Sequence, residues 1–217
     1  MAEPRALVAV LAGGRARRLG GGKAGACLGG RPLIEYPLLA ARAAGLEAVV
    51  VAKPESPLPP LSVPVLREPE RPSHPLCGVI RALEFGAVAS GERGVILLGC
   101  DMPFLTGELL RWLAGLSGVA MAEVGGRPQP LLCRCPASGA EELRAALAAG
   151  RSLSGALAGL SPQILGEDRL GRFGDPARLC FNVNTPEDLL EARRLLDQAP
   201  AAGPGSPPPT RPAASRS

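Results

Sequence analysis

Leu11-Ala12-Gly13-Gly14-Arg15-Ala16-Arg17-Arg18-Leu19-Gly20-Gly21-Gly22-Lys23 decides how the rest of the chain is read. The run Ala6 to Ala12 is short, continuously apolar and empties into Gly13-Gly14, the pattern of a buried parallel strand feeding a loop. The loop itself carries Arg15, Arg17, Arg18 and Lys23 with no acid among them. Glycines let backbone N–H groups approach phosphate oxygens without a Cβ in the way, while Arg and Lys add charge and fork geometry. A solvated basic loop is the plainer reading of an isolated glycine-rich segment. The strand before it and the concentrated charge favour a triphosphate site. Gly20, Gly22 and Gly25 satisfy a G-x-G-x-x-G spacing, but a dinucleotide fingerprint turns straight from strand to helix, and this match begins well after the strand. A P-loop also fails, because Arg17 stands at its first glycine and Ala24 stands where Ser or Thr should hold a metal.

Outward from that loop, strand and helix signals alternate. Pro32 opens a helix-like segment with Leu33, Tyr36, Leu38, Leu39 and Ala43, with Pro37 blurring its start. Leu46 to Ala52 and a stretch near Val63 to Leu66 read as strands, Leu76 to Phe85 as a helix, and Val95 to Cys100 as a strand ending at Asp101. Thr106 can cap a helix bearing Leu109, Leu110 and Leu113, followed by strands at Val119 to Val124 and Pro130 to Cys135. Glu141 to Ala149 reads as a helix stopped by Gly150, and Leu179 to Val183 as a last short strand. Thr185-Pro186-Glu187-Asp188 is a helix start: a hydroxyl cap, proline at the first helical position and two acids in the first turn. This alternation predicts an α/β domain with three layers, a doubly wound, mostly parallel sheet over residues 1–197. Ligands in such sheets collect beyond the carboxyl ends of the strands, so Asp101 and the loop after the first strand are expected at one rim. Residues 198–217, rich in Pro, Ala and Gly without hydrophobic periodicity, are expected as a disordered tail.

Composition narrows the function classes. A chain of 217 residues that is 46% hydrophobic can bury one sizeable core. The four loop cations equal the whole formal net charge of +4, and aromatics are only 3%, so neither a basic footprint nor stacking platforms for nucleic acid are present. No apolar stretch approaches membrane-spanning length. The six cysteines show no C-x-x-C spacing; reduced, buried thiols are expected, with no metal at Cys133 and Cys135. With no charged-then-apolar leader at the N-terminus, a cytoplasmic location is expected.

The segment from Leu11 to Lys23 resembles the L-A-G-G-x-x-x-R-M-G-x-x-K signature of nucleoside-triphosphate transferases with a Rossmann-like fold. Three further segments narrow the likeness: Gly99-Cys100-Asp101-Met102-Pro103-Phe104-Leu105, Gly126-Arg127-Pro128-Gln129-Pro130-Leu131, and Phe181-Asn182-Val183-Asn184-Thr185-Pro186-Glu187-Asp188-Leu189. Together, from Leu7 to Leu195, they resemble the molybdenum cofactor guanylyltransferases. The resemblance implies a magnesium-dependent nucleotidyltransferase that moves GMP from GTP to the phosphate of molybdopterin or the molybdenum cofactor, releasing pyrophosphate. It implies that Leu11, Ala12, Gly13, Gly14, Arg15, Lys23, Glu68 and Asp101 bind the nucleotide, with Gly13, Gly14, Arg18 and Lys23 at its phosphates, that Arg18, Lys23 and Asp101 are catalytic, with Arg18 and Lys23 stabilising charge, and that Asp101 holds the metal. Glu68 is expected at the nucleoside. Asn182 and Asn184, two apart on extended chain, face one side, and Asn182 is taken as the second metal ligand. Arg127, Gln129 and Arg151 are candidates for the acidic pterin. Transient contact with molybdenum-insertion or molybdoenzyme maturation proteins is the partner expectation.

The chain departs from the family pattern at several points. Gly22 precedes the loop lysine where relatives carry Asp, Glu68 replaces an Asp, and Ala52 and Lys53 stand where Asn is frequent. The family's G-P-L-A-G becomes His74-Pro75-Leu76-Cys77-Gly78. These changes leave two rivals: cytidylyl or other nucleotidyl transfer to a different phosphorylated acceptor, and a nucleotide-binding regulatory module without catalysis.

Overall fold

β1 (Ala6–Leu11) pairs in parallel on one side with β4 (Glu47–Ala52) and on the other with β6 (Gly94–Gly99). A computed structural model describes residues 6–13, 22–90 and 94–198, without the side chains of 89 and 90. Gly14, Arg15, Arg17, Arg18 and the segment 199–217 lie outside the described residues, and so do the expectations placed on them. Around β1 the sheet runs β5-β4-β1-β6-β8-β7-β9, with β5 at Val65–Arg67, β7 at Ala120–Val124, β8 at Arg127–Pro136 and β9 at Gln163–Leu165. β8 alone runs antiparallel to its neighbours in this sheet.

Both faces of the sheet are covered because β1 is apolar at every position. Val8 and Val10 pack on one side with Ala41 of α1 (Glu35–Ala44) and Leu109 and Leu113 of α3 (Gly107–Ala114). Leu7 and Ala9 pack on the other with Val79 and Leu83 of α2 (Pro75–Ser90), Leu143 of α4 (Ala140–Ala148) and Leu157 of α5 (Leu153–Gly159). Burial of a large aliphatic side chain stabilises by about 1.5–3 kcal/mol, so these two layers dominate the fold's energetics. The chain moves from β1 outward through β4 to β5, then returns along α2 to β6 on β1's other side. The strand order therefore reverses between β1 and β6, which opens a crevice above their carboxyl ends.

Local chemistry explains where the elements begin and where the sequence misleads. Thr106 caps α3 by accepting from Leu109 N at 3.2 Å, as expected. Pro32 does not open a helix: β2 (Cys27–Leu28) and β3 (Arg31–Pro32) form a hairpin across Gly29 and Gly30. Their φ values of 55° and 81° suit a two-residue turn that demands left-handed backbone twice. Leu179 to Val183 is not a strand. Asp175 accepts from Ala177 N at 3.1 Å, and with Pro176 it starts a four-residue helix, α7 (Pro176–Leu179). α6 (Glu167–Leu170) is another short turn without a clear periodic signal. α8 (Pro186–Asp197) carries a full capping box between Thr185 and Asp188. It packs Ala192 and Leu189 onto Leu28, Leu33, Phe104 and Val183. Among the described residues no helix is long and apolar enough to cross a membrane.

Candidate active site

The loop after β1 and the end of β6 converge above the sheet. Ala12 N donates to Val51 O at 2.8 Å and Cys100 N donates to Leu11 O at 3.2 Å, so backbone pairing continues up to the rim before the strands separate. Beyond that point lies a cleft of about 430 Å³, lined at its polar end by Gly13, Lys23, Lys53, Glu68, His74 and Asp101. Leu131 and Leu153 also line it.

Lys23 forms an ion pair with Asp101 Oδ2, and its ammonium also donates to Asn184 Oδ1 at 2.5 Å. Three sequence-distant segments thus meet on one nitrogen. Asp101 is positioned by the end of β6, and Gly99 is required beneath it because a Cβ there would collide with Asp101 Oδ1. Asn184 is positioned from two directions. Val183 N donates to Asp101 O at 2.9 Å, and Asn184 N donates to Asp188 Oδ2 at 2.8 Å. Asp188 also closes the capping box of α8, so that helix's first turn carries Asn184 on a rigid mount. Asn182 turns its amide nitrogen to Cys180 O at 2.8 Å, and Asn184 is the residue of the pair that reaches Lys23.

Four rim positions follow in strand order: Glu68 after β5, Lys53 after β4, Gly13 after β1 and Asp101 after β6. Lys53 Nζ lies 3.4 Å from Glu68 Oε1 and donates to Pro69 O at 3.1 Å, and Arg67 holds the Lys53 carbonyl at 2.7 Å. Both partners are buried. Burial pushes the Glu68 carboxyl above the ordinary value, opposed by the Lys53 ammonium and raised further by Glu55. Gly13 and Gly78 make room for it: a Cβ on Gly13 would collide with Oε1, and one on Gly78 would stand 3.1 Å from Oε2. His74 lines the cleft, and its Nδ1 accepts from Leu76 N at 3.2 Å, which serves the start of α2.

Burial pushes the Cys100 thiol, next to Asp101, up to about 12, so it stays protonated and is no nucleophile. All six cysteines are free thiols, and the Cys135 and Cys180 thiols are likewise pushed up to about 12 by burial. Arg127, Gln129 and Arg151 are not among the residues that line the cleft; Gln129 donates to Arg127 O at 3.3 Å. Sequence reasoning did not name Cys100, Leu131 or Leu153 as walls. The apolar walls carry no local signal, since they read as ordinary core positions.

A doubly wound sheet whose switch-point crevice sets a glycine-bordered lysine against one carboxylate defines the nucleotidyltransferase class. The family description "MobA-like NTP transferase domain" matches residues 8–163. The molybdenum cofactor guanylyltransferase of Cereibacter sphaeroides is 38% identical over 197 residues, covering 86% of this chain and 95% of that protein. That of Rhizobium leguminosarum bv. trifolii is 31% identical, covering 87% and 91%. Among solved structures, molybdopterin-guanine dinucleotide biosynthesis protein A from Archaeoglobus fulgidus superimposes with a TM-score of 0.72 at 26% identity, covering 88% and 98%. A 2-C-methyl-D-erythritol 4-phosphate cytidylyltransferase from Thermus thermophilus shares the fold at TM-score 0.63 and 21% identity, covering 88% and 98%. The chain belongs to the molybdenum cofactor guanylyltransferase family of MobA-like NTP transferases.

Proposed function

We propose that this protein transfers GMP from GTP to the phosphate of molybdopterin or the molybdenum cofactor, releasing pyrophosphate. The observation that carries this reading is the Lys23 ammonium held between Asp101 and Asn184 at the mouth of the β1–β6 crevice. An acceptor phosphate oxygen attacks the α-phosphorus, a new P–O bond forms, and the bond to the bridging oxygen of pyrophosphate breaks. No covalent enzyme intermediate is needed. Two anions must approach each other, so the site has to neutralise charge and hold attacker and leaving group in line. Lys23 supplies a mobile positive charge for the triphosphate. Gly13 presents backbone without a side chain in the phosphates' way, and Gly14, Arg15 and Arg18 belong to the same phosphate loop in this reading.

The donor set fits a hard divalent ion. Asp101 and Asn184 offer oxygens that already hold one cation, the Lys23 ammonium. Magnesium keeps several waters and uses one or two protein oxygens plus substrate phosphates, so a donor set of this size would serve it. A magnesium ion held there would supply charge neutralisation for the transferring phosphoryl group. Asp101 and Asn184 would hold it once Lys23 turns to the triphosphate. On this reading the protein works in the cytoplasm and meets molybdenum-insertion or molybdoenzyme maturation proteins transiently.

The test is to incubate purified protein with magnesium, molybdopterin and each of the four nucleoside triphosphates and to measure pyrophosphate. Release with GTP alone is expected. Release with CTP instead makes the protein a cytidylyltransferase, and none with any nucleotide makes it a regulatory module.

A further inference from the structure

A cation on α7 ties together the two segments that hold Lys23. The Arg178 guanidinium lies over the Phe104 ring, 4.8 Å from its centroid, and its Nη2 donates to Leu195 O at 2.8 Å. Phe104 is buried and stands three residues after Asp101. Its ring meets that of Phe181 edge-on, with centroids 6.0 Å apart, and Phe181 stands three residues before Asn184. Leu195 belongs to the last turn of α8, where carbonyls have no intrahelical partner and a cation is favoured. Two routes therefore leave the Lys23 ammonium. One runs from Asp101 along the chain to Phe104; the other runs from Asn184 through Asp188 and the length of α8 to Leu195. Arg178 joins their far ends and closes the ring.

We infer that Arg178 is a positioning residue that sets the separation of Asp101 and Asn184 on either side of Lys23. The inference rests on the transfer reading above, which assigns those three groups to the reacting phosphates and their metal. The core around Leu28, Leu33, Val183 and Ala192 already holds α8 against its neighbours without a charge, so Arg178 is not needed for burial. Its contacts add direction. Val183 N donates to Asp101 O, which joins the two segments at one backbone bond and leaves each free to turn about it. The Phe104–Arg178–Leu195 contacts take up that freedom. A guanidinium suits the task because its face stacks on an aromatic ring while its edge donates in its own plane, and an ammonium cannot hold both directions at once. Reacting groups displaced by about 1 Å lose on the order of 100-fold in rate, so a residue outside the cleft can govern turnover.

The experiment measures pyrophosphate release from GTP by the full chain carrying Arg178→Met or Arg178→Lys. Gly94→Ala, whose added Cβ would collide with the Arg134 guanidinium at the far end of β6, controls for lost stability. Arg178→Met keeps an unbranched apolar stem and loses both charge and donor. Its kcat should fall by about 10- to 100-fold with the KM for GTP close to the wild-type value. Arg178→Lys restores the charge over the ring without the planar fork and should recover part of that loss. Gly94→Ala should keep its kcat. In an Asn184→Ala background, with no second oxygen left to place, Arg178→Met should cost much less than in the wild-type background. Should Arg178→Met fail to fold, Phe104→Leu carries the same expectations, since it keeps a buried apolar side chain and removes the face on which Arg178 stacks. An unchanged kcat, an equal loss in Gly94→Ala, or full additivity with Asn184→Ala overturns the inference while wild-type GMP transfer from GTP still stands. Absence of transfer from GTP in the wild type overturns the guanylyl reading, and this inference with it.

Discussion

Lys23 and Asp101, 78 positions apart in the chain, meet as an ion pair whose side chains are 19% and 11% exposed. A largely buried pair such as this is weak evidence for stability, because the cost of desolvating both charges offsets their attraction. Its place at the end of β6, shared with Asn184, is better explained by what it does to ligands. The ammonium holds the Asp101 and Asn184 oxygens, which on the proposed reading are the ones a metal would take, with the lysine then free for a phosphate.

Lys23→Met should therefore fold normally and fail in turnover. Losing one preorganised cationic donor costs about 2.7–4 kcal/mol of transition-state stabilisation, or about 10²- to 10³-fold in rate. Thermal melting with a pyrophosphate-release assay separates the two effects. Wild-type turnover in this variant would remove the lysine from the chemistry.

Asp101→Asn should weaken the metal response. Titrating manganese into protein with GTP, followed by electron paramagnetic resonance, should show weaker nucleotide-dependent metal binding than wild type. A magnesium titration of turnover that overlays the wild-type curve would mean the ion sits elsewhere.

Asp188→Ala tests the mount of Asn184. The change removes the half of the capping box in which Thr185 N donates to the Asp188 carboxylate, and frees Asn184 N from the same carboxylate. Urea denaturation should report the loss of stability, and turnover should fall further than stability alone accounts for. Thr185→Ala removes the cap and leaves the Asp188 bond to Asn184 N in place, so it should lower stability with a smaller effect on rate.

Glu68 predicts a pH dependence of folding. Its folded carboxyl titrates above the ordinary value of 4.5, chiefly through burial. Between that value and its own, the native protein binds more protons than the unfolded chain, so this group's contribution to stability falls as pH rises through that window. The unfolding free energy of wild type minus that of Glu68→Gln should therefore decline with increasing pH there and level off above it. A difference that is flat or rising across the window contradicts the assignment of burial as the main cause.

Gly94→Ala probes packing at the other end of β6. A Cβ there would stand 2.5 Å from the Arg134 guanidinium carbon, and that guanidinium is buried against Gly118 O. Overpacking of this kind costs about 1–3 kcal/mol, readable as a shift in the urea midpoint with activity retained.

Much of this was legible in advance where the signal is local. The apolar run of β1, the Thr106 cap, the Thr185–Asp188 helix start and Asp101 at a strand end all depend on residues within one turn or one strand. The Leu179 to Val183 strand failed for a related reason: an apolar run marks burial, but only neighbouring strands decide whether buried chain joins a sheet. Here the Asp175-Pro176 start won locally, and Val183 bonded to the Asp101 carbonyl.

By itself the sequence determined a doubly wound α/β fold, a cationic glycine loop after its first strand and a carboxylate at the end of β6, because periodicity and turn chemistry act over short spans. Tertiary structure alone decided that Asn184, not Asn182, reaches Lys23, and that Lys53 and Glu68 form a buried pair beside Gly13. Those outcomes depend on distances of a few ångströms between side chains from different strands, and only the packed sheet sets such distances.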